Sequence, residues 1–306
     1  MEIIHQYTNG NINVVLYDDG TKERVFSGNP NPIHPESIDV KITDYCDAGC
    51  RYCHEQSTKS GLHGDLDKLF EVLSVLPAGC EIAIGGGNPL SHPDLIPFLQ
   101  KLKQKGIVSN ITVNQKHLES YKKLILQLIN DRLVHGVGIS YSSTSFFPHI
   151  TPILQASDNV VFHVIAGINP VEDVEILRQY CIQNNKKTKI LILGYKQYGF
   201  GLHYYSLNKH IEDNKYNWHI KLAKHFKNKD LVLSFDNLAI DQLNLRRYFT
   251  DDAWNKFYMG NDFVFTMYID GVKQNFAPSS TSNNRVDFKD MTLLDYFQTN
   301  RNKEGI

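Results

Sequence analysis

The sequence predicts an α/β protein: a partial (β/α)6 barrel of the TIM type with an N-terminal β-hairpin and a C-terminal α/β extension. Three observations carry that prediction. From Ile38 onward, short β-rich runs alternate with amphipathic helical stretches, the pattern of a parallel sheet covered by helices. Six such steps precede Gly194, which suits an open partial barrel better than a closed eightfold one. The chain has 306 residues, 42% hydrophobic and 21% charged, enough for one large core.

The N-terminal segment, 1–36, reads as a hairpin. Ile12–Tyr17 and Lys22–Phe26 are strand-like, and Asp18-Asp19-Gly20 between them supplies the turn. Gly28 to Pro32 then breaks the pattern. The core, 37–200, places strands at Ile38–Thr43, Glu81–Ile84, Val108–Val113, Val137–Tyr141, Val160–Ile165 and Lys189–Leu193. Between them, Leu66, Leu69, Phe70, Leu73 and Leu76 repeat at helical spacing after Asp65, an expected N-cap. The next helix has Pro93 in its first turn, apolar Leu95, Phe98, Leu99 and Leu102, and Gly106 just past its end. Leu118 to Ile129 mark a third, and Val174, Leu177 and Cys181 a stripe on another. In the extension, 201–306, Leu231–Phe235 and Phe263–Ile269 look like strands, Trp218–Phe226 and Met291–Phe297 like helices, and Ser279 to Asn284 like a loop. In such a fold chemistry gathers at the C-terminal ends of the strands.

Lys and Arg number 32 against 33 Asp and Glu, a net charge of -1, so the whole molecule has no field that selects nucleic acid or an anionic membrane. No apolar run is long enough to span a bilayer, and the first residues lack the basic and apolar parts of a signal peptide, which points to the cytoplasm. Three of the five cysteines crowd into Cys46-Asp47-Ala48-Gly49-Cys50-Arg51-Tyr52-Cys53, directly after the first strand of the β-α series. A secreted disulfide framework is normally even in number and dispersed, so metal binding in a reducing compartment is the better reading. Three thiolates on one short loop can hold three irons of a cubane 4Fe-4S cluster and leave the fourth open to an exogenous ligand. Gly49 helps the loop to curl. A zinc site completed by His54 is the other metal reading of the same residues.

This loop resembles that of the radical S-adenosylmethionine (SAM) superfamily, whose pattern is C-x-x-x-C-x-aromatic-C, with Tyr52 as the aromatic residue here. The resemblance, which runs from about Ile38 to Tyr195, implies a cluster on Cys46, Cys50 and Cys53 that cleaves SAM reductively to a 5'-deoxyadenosyl radical. It also implies an electron donor such as flavodoxin or ferredoxin. Gly85-Gly86-Gly87-Asn88-Pro89 stands where the family carries a Gly-Gly-Glu-Pro-like segment for the SAM amino group. Asn88 replaces the acidic residue, leaving carbonyls and an amide, with Gly86 and Gly87, to receive the ammonium. Asn114 and Ser140 occupy positions implied to approach the SAM carboxylate or ribose, and Gly167 and Ile168 a segment implied to meet the adenine. Leu191 to Leu193 would wall the base, and Tyr52 would contact it.

Other residues carry weaker expectations. His54 and Glu55 should lie near the cluster as a proton donor or substrate contact, or else in a surface loop. Cys80 and Cys181 read as structural and cannot supply an additional cluster. The stretch Gly194 to Gly201, followed by His203-Tyr204-Tyr205, reads as a loop that closes over a substrate or simply packs. Lysines between 209 and 229, with Trp218 and Phe226 interspersed, suit a solvated helix face or phosphate contacts from a nucleotide or nucleic acid. The sequence does not choose among a small-molecule, peptide or nucleotide substrate. A non-catalytic iron-sulfur or zinc module, sensing redox state or binding a partner, is the competing function.

Overall fold

The computed structural model describes residues 1–303; residues 304–306, the end of the expected extension, lie outside the described residues. The N-terminal segment folds as three antiparallel strands, β1 (Ile3–Asn9), β2 (Ile12–Tyr17) and β3 (Lys22–Phe26), in the order β1-β2-β3. The expected hairpin is β2 and β3. The added edge strand β1 was hidden because the residues it turns inward, His5, Tyr7 and Asn9, give no apolar alternation, while its Ile3 and Ile4 are exposed. Ile12, Val14 and Leu16 alternate inward and are fully buried, Ile12 and Val14 against Val264 and Phe265.

The main sheet has ten strands. Its first six are β4 (Ser37–Thr43), β5 (Glu81–Gly86), β6 (Val108–Asn114), β7 (Gly136–Ser140), β8 (Val160–Ile165) and β9 (Thr188–Leu193), each within two residues of its expected bounds. The chain after residue 200 adds β10 (Leu231–Phe235) parallel to β9 and β11 (Thr266–Asp270) parallel to β4, then the short β12 (Asn275–Ala277) and β13 (Val286–Asp287) antiparallel at the edge. Eight consecutive parallel strands therefore run in the order β10-β9-β8-β7-β6-β5-β4-β11, two more than the six β-α steps read from the sequence. Those two come from the extension, so its strands complete the same sheet.

Helices α1 (Leu66–Leu73), α2 (Leu95–Lys105), α3 (Leu118–Asn130), α4 (Phe147–Ala156) and α5 (Asp173–Gln183) fill the connections. The caps act as their residue types require. Asp65 accepts from the backbone N–H of Asp67 and Lys68, a contact worth about 1 kcal/mol. Gly106 ends α2 in the left-handed region at φ 78°. Leu69, Leu73, Leu99, Leu102, Ile125 and Leu128 pack against one face of the sheet with Ile38, Ile82, Ile111 and Ile139, all buried. Beyond β9 the chain forms α6 (Phe200–Leu207), α7 (His210–Lys221), α8 (Asn237–Gln242), α9 (Asp251–Phe257) and α10 (Leu293–Lys303). Among the described residues no helix is long and apolar enough to cross a membrane.

Strand alternation decides what the other sheet face presents. On β8, Val160, Phe162 and Val164 are buried under the helices, and Val161, His163 and Ile165 point the opposite way. Those three, together with residues from all eight parallel strands, line one cavity of about 800 Å³. Side chains normally fill the interior of a parallel barrel. Here Ala83, Gly85, Gly136 and Gly138 leave it open. The β2–β3 turn closes its far end: Gly20 lines the cavity, Lys22 pairs with Glu81 at 2.5 Å, and Lys189 Nζ donates to the Asp19 carbonyl at 2.6 Å.

Candidate functional site

Cys46, Cys50 and Cys53 sit on the loop after β4, and Cys50 and Cys53 line the C-terminal end of the cavity. All three are free and half-buried. The Cys46 N–H donates to the Thr58 carbonyl, the Cys53 N–H donates to the Cys50 carbonyl, and Gly49 takes φ 63°, which curls the loop as its composition implied. The Asn114 amide donates to Cys50 Sγ at 3.5 Å. Burial pushes the Cys46 and Cys50 thiols up, and the neighbouring cysteines add to it. A positive group beside them favours the thiolate form, and a metal centre supplies one.

Cys50 separates the deep cavity from a second, open one of about 720 Å³, lined by Cys46, Cys50, Arg51, Lys59, Phe200 and Tyr204 among others. Among the described residues no three His, Cys, Asp or Glu side chains converge on a single-ion position. His54, the sequence's candidate fourth zinc ligand, is engaged elsewhere: its Nε2 lies 3.3 Å from Glu55, from Lys196 Nζ and from Ser280 Oγ. Ligands of a polynuclear cluster bind separate irons and need no common point.

Two glycines hold the loop down. A Cβ on Gly87 would stand 2.1 Å from the Tyr45 carbonyl oxygen, and one on Gly86, at φ 104°, 2.6 Å from that of Thr43. The Gly87 and Asn88 N–H groups donate to the Thr43 and Tyr45 carbonyls at 2.8 and 2.6 Å. Gly87→Ala is therefore expected to cost on the order of 1–3 kcal/mol and to lower iron incorporation, read by thermal melting and metal analysis of the purified variant. The Asn88 side chain is fully buried with Oδ1 and Nδ2 unpartnered apart from a loose contact to the Tyr121 phenol.

The residues singled out from the sequence divide into two sets. Tyr52, Gly86, Asn114 and Ser140 line the cavity together with Cys50, Cys53, Leu191 and Leu193. Gly87 and Asn88 lie behind the cysteine loop. Gly167 and Ile168 follow β8 outside the cavity wall, with Gly167, at φ 112°, packed against Ile211 and Lys215 of α7 and its carbonyl accepting from Asn214. Gly194 to Gly201 is not wholly a loop, because α6 begins at Phe200. Gly199, at φ 56°, permits contact with the His54 carbonyl, the Phe200 N–H donates to the Cys53 carbonyl, and Tyr204 meets the Tyr52 ring edge-on at 5.8 Å. Trp218 is core, its Nε1 donating to the Asn169 carbonyl at 2.7 Å, and Lys215 and Lys221 pair with Glu212 and Glu172. Cys181 and Cys80 are fully buried, Cys80 Sγ lying 3.5 Å from His34 Nδ1.

Sequence reasoning missed a charged network beside the loop. Lys41 of β4 is buried and pairs with Asp44 at 2.7 Å, Asp270 at 3.1 Å and Glu55 at 3.2 Å. The Tyr268 hydroxyl donates to Glu55 Oε1 at 3.2 Å. Burial alone would raise Glu55, but His54 and Lys41 pull it down to about 2. Lys41 between apolar Val40 and Ile42, on a strand that also carries Asp39, and Glu55 beside the cysteine loop were the signals in the sequence.

On the opposite wall His163 lies over Gly138, where a Cβ would come within 2.6 Å of the ring. Burial lowers its imidazole from 6.5 to about 4. The unfolded chain then binds the extra proton throughout that window, so stability falls as pH drops through it, by at most about 3 kcal/mol for this group. His34, His92, His117, His135 and His225 are lowered too and add to the acid slope. Denaturant titrations from neutral to acid pH should show a shallower slope for His163→Gln than for the wild type; equal slopes refute the assignment.

No family profile and no curated protein matches the sequence. Solved structures do match. SuiB of Streptococcus suis bound to its precursor peptide SuiA aligns with TM-score 0.60 at 12% identity, over 87% of this chain and 65% of that one. SuiB bound to S-adenosylmethionine aligns with TM-score 0.61 at 12% identity, and SuiB alone with 0.59 at 14%, each over 87% of this chain and 66% of the other. The chain thus spans somewhat less than two thirds of the SuiB length and shares its mixed α/β fold with a large parallel sheet. That shared fold supports the resemblance carried by the cysteine loop.

Proposed function

We propose that this chain is a radical SAM enzyme built on a partial barrel, with Cys46, Cys50 and Cys53 holding a 4Fe-4S cluster at the mouth of the cavity. One observation carries the reading: three free thiols, spaced C-x-x-x-C-x-aromatic-C, stand on the loop after the first long parallel strand, with Cys50 and Cys53 lining a cavity walled by eight strands and Cys46 lining the open cavity beside it. When bound, the cluster supplies the electron that splits SAM into methionine and a 5'-deoxyadenosyl radical. The SAM-bound form of SuiB, with the same fold, supports SAM as the ligand of the cavity.

The chain's own residues then do three things. Asn114 holds a hydrogen bond toward the Cys50 sulfur, a contact of the kind that tunes a cluster's potential. Tyr52, Gly86, Asn114 and Ser140 are assigned to direct contact with SAM, because they line the cavity next to the loop. Gly87, Asn88, Gly167 and Ile168 are assigned to supporting the walls. The β2–β3 turn blocks the far end and α6 packs against the cysteine loop, which limits the entry of water to the site of a reactive radical.

The substrate is a molecule that enters this cavity whole or by one end. SuiB binds a precursor peptide, which makes a peptide one admissible class for this chain. The test is anaerobic reconstitution with iron and sulfide, followed by dithionite and SAM. Release of 5'-deoxyadenosine supports the enzyme. A colourless zinc protein inert to SAM rejects it in favour of a binding module, and a loaded cluster that yields only trace cleavage with every candidate substrate marks a scaffold that binds without transforming.

A further inference from the structure

We propose that the deep part of the cavity is a receptor for a zwitterion, with Asp39 taking an ammonium group of the substrate and Lys196, with Ser280, taking a carboxylate. The argument starts from strand alternation. Asp39 and Lys41 are two apart on β4 and face the same cavity. They would satisfy each other if Lys41 were free, but it is held by Asp44, Glu55 and Asp270. Glu81 is likewise engaged by Lys22. Asp39 is left with no hydrogen bond and no ion pair among the described residues, and its side chain is open to the cavity. Its register partners explain why: Ala83 on β5 is too small to cover it, and the hydroxyl of Tyr268 on β11 is turned to Glu55.

Lys196 is the counterpart. It follows β9, lines the same cavity, and contacts only neutral groups: Nζ donates to Ser280 Oγ at 2.8 Å and lies 3.3 Å from His54 Nε2. The two unmatched charges feel each other, since Lys196 is the foremost favourable charge acting on the Asp39 carboxylate, but they do not touch. A charged side chain that lines a cavity without an opposite charge of its own is a group that a ligand can complete. Two of opposite sign in one cavity specify a ligand with both signs. They lie on the β4 and β9 flanks, next to the gap between β10 and β11, whereas Asn114 and Ser140 are on β6 and β7. As the substrate's subsite this proposal rests on the enzyme reading above; as a binding site it does not.

The probes are the ω-amino acids from glycine to 6-aminohexanoate, each compared with the amine lacking the carboxylate and the acid lacking the amine. They are titrated calorimetrically into the full-length protein without SAM. At least one amino acid should bind saturably, and removing either charge should weaken it by about tenfold or more, the scale of a charge-assisted hydrogen bond. Asp39→Asn should abolish the preference for the amine, and Lys196→Gln the preference for the carboxylate. Asp39→Asn should also melt no lower than the wild type, because the carboxylate makes no hydrogen bond or ion pair that the change would remove. If no probe in the series binds, or the singly charged analogues bind the wild type as well as the amino acid does, the proposal is overturned, and neither result depends on whether the cluster forms or SAM is cleaved.

Discussion

Cys50→Ala should reduce 5'-deoxyadenosine release to background and leave reconstituted protein with less iron than the wild type. Cys50 stands where the two cavities meet and is the thiol to which Asn114 is hydrogen-bonded, so its loss removes a cluster ligand at the point facing the ligand space. Cys46→Ala and Cys53→Ala should match it, since each of the three would hold a different iron. Asn114→Ala should fall between, with a loss of about 10–100-fold, the usual effect of removing a contact to a metal ligand. Cys181→Ala should keep its activity, because Cys181 is a fully buried helix residue packed away from the loop. Iron analysis, absorption spectra and product chromatography on the five variants check the ordering. A Cys50→Ala protein with full iron and full turnover would refute the ligand assignment.

Lys41→Met should destabilise the fold by about 3–5 kcal/mol, because it leaves Asp44, Glu55 and Asp270 facing one another without their shared cation. Although burial opposes it, the carboxylates hold the Lys41 ammonium above its ordinary 10.5. A raised lysine contributes fully below its unfolded value and is lost only at strongly alkaline pH, so the whole effect is present at neutrality. The damage should reach the cysteine loop, since Glu55 lies two residues after Cys53 and Asp44 two before Cys46. Urea denaturation measures the loss. The double variant Lys41→Met with Asp270→Asn should be less destabilised than the sum of the two single changes, because the residues share one network. Strict additivity would show that the pair does not interact.

Local pattern was enough for much of this molecule. The alternation of β4 to β9 with α1, α2, α3 and α5, the Asp65 cap and the Gly106 stop were legible because each depends on residues within a few positions of one another. β1 was not, since its inward side is His5, Tyr7 and Asn9 rather than an apolar alternation, and α6 was not, since Gly199, Phe200 and Gly201 read as loop until their contact with His54 and Cys53 is seen. The short α8 and α9 offered too few turns for a periodic signal.

The sequence by itself determined the cysteine loop and its position after the first long strand, because ligand spacing on one loop is a property of adjacent residues. Only the tertiary structure decided which polar residues share the cavity and which charges are matched. Lys41 meets Asp270, Glu55 meets Tyr268 and His54 meets Ser280, pairs more than 200 residues apart. Strand periodicity says that Asp39 and Lys41 point the same way. What stands opposite them depends on the parallel pairing of β11 with β4, and no stretch of sequence around residue 40 encodes it.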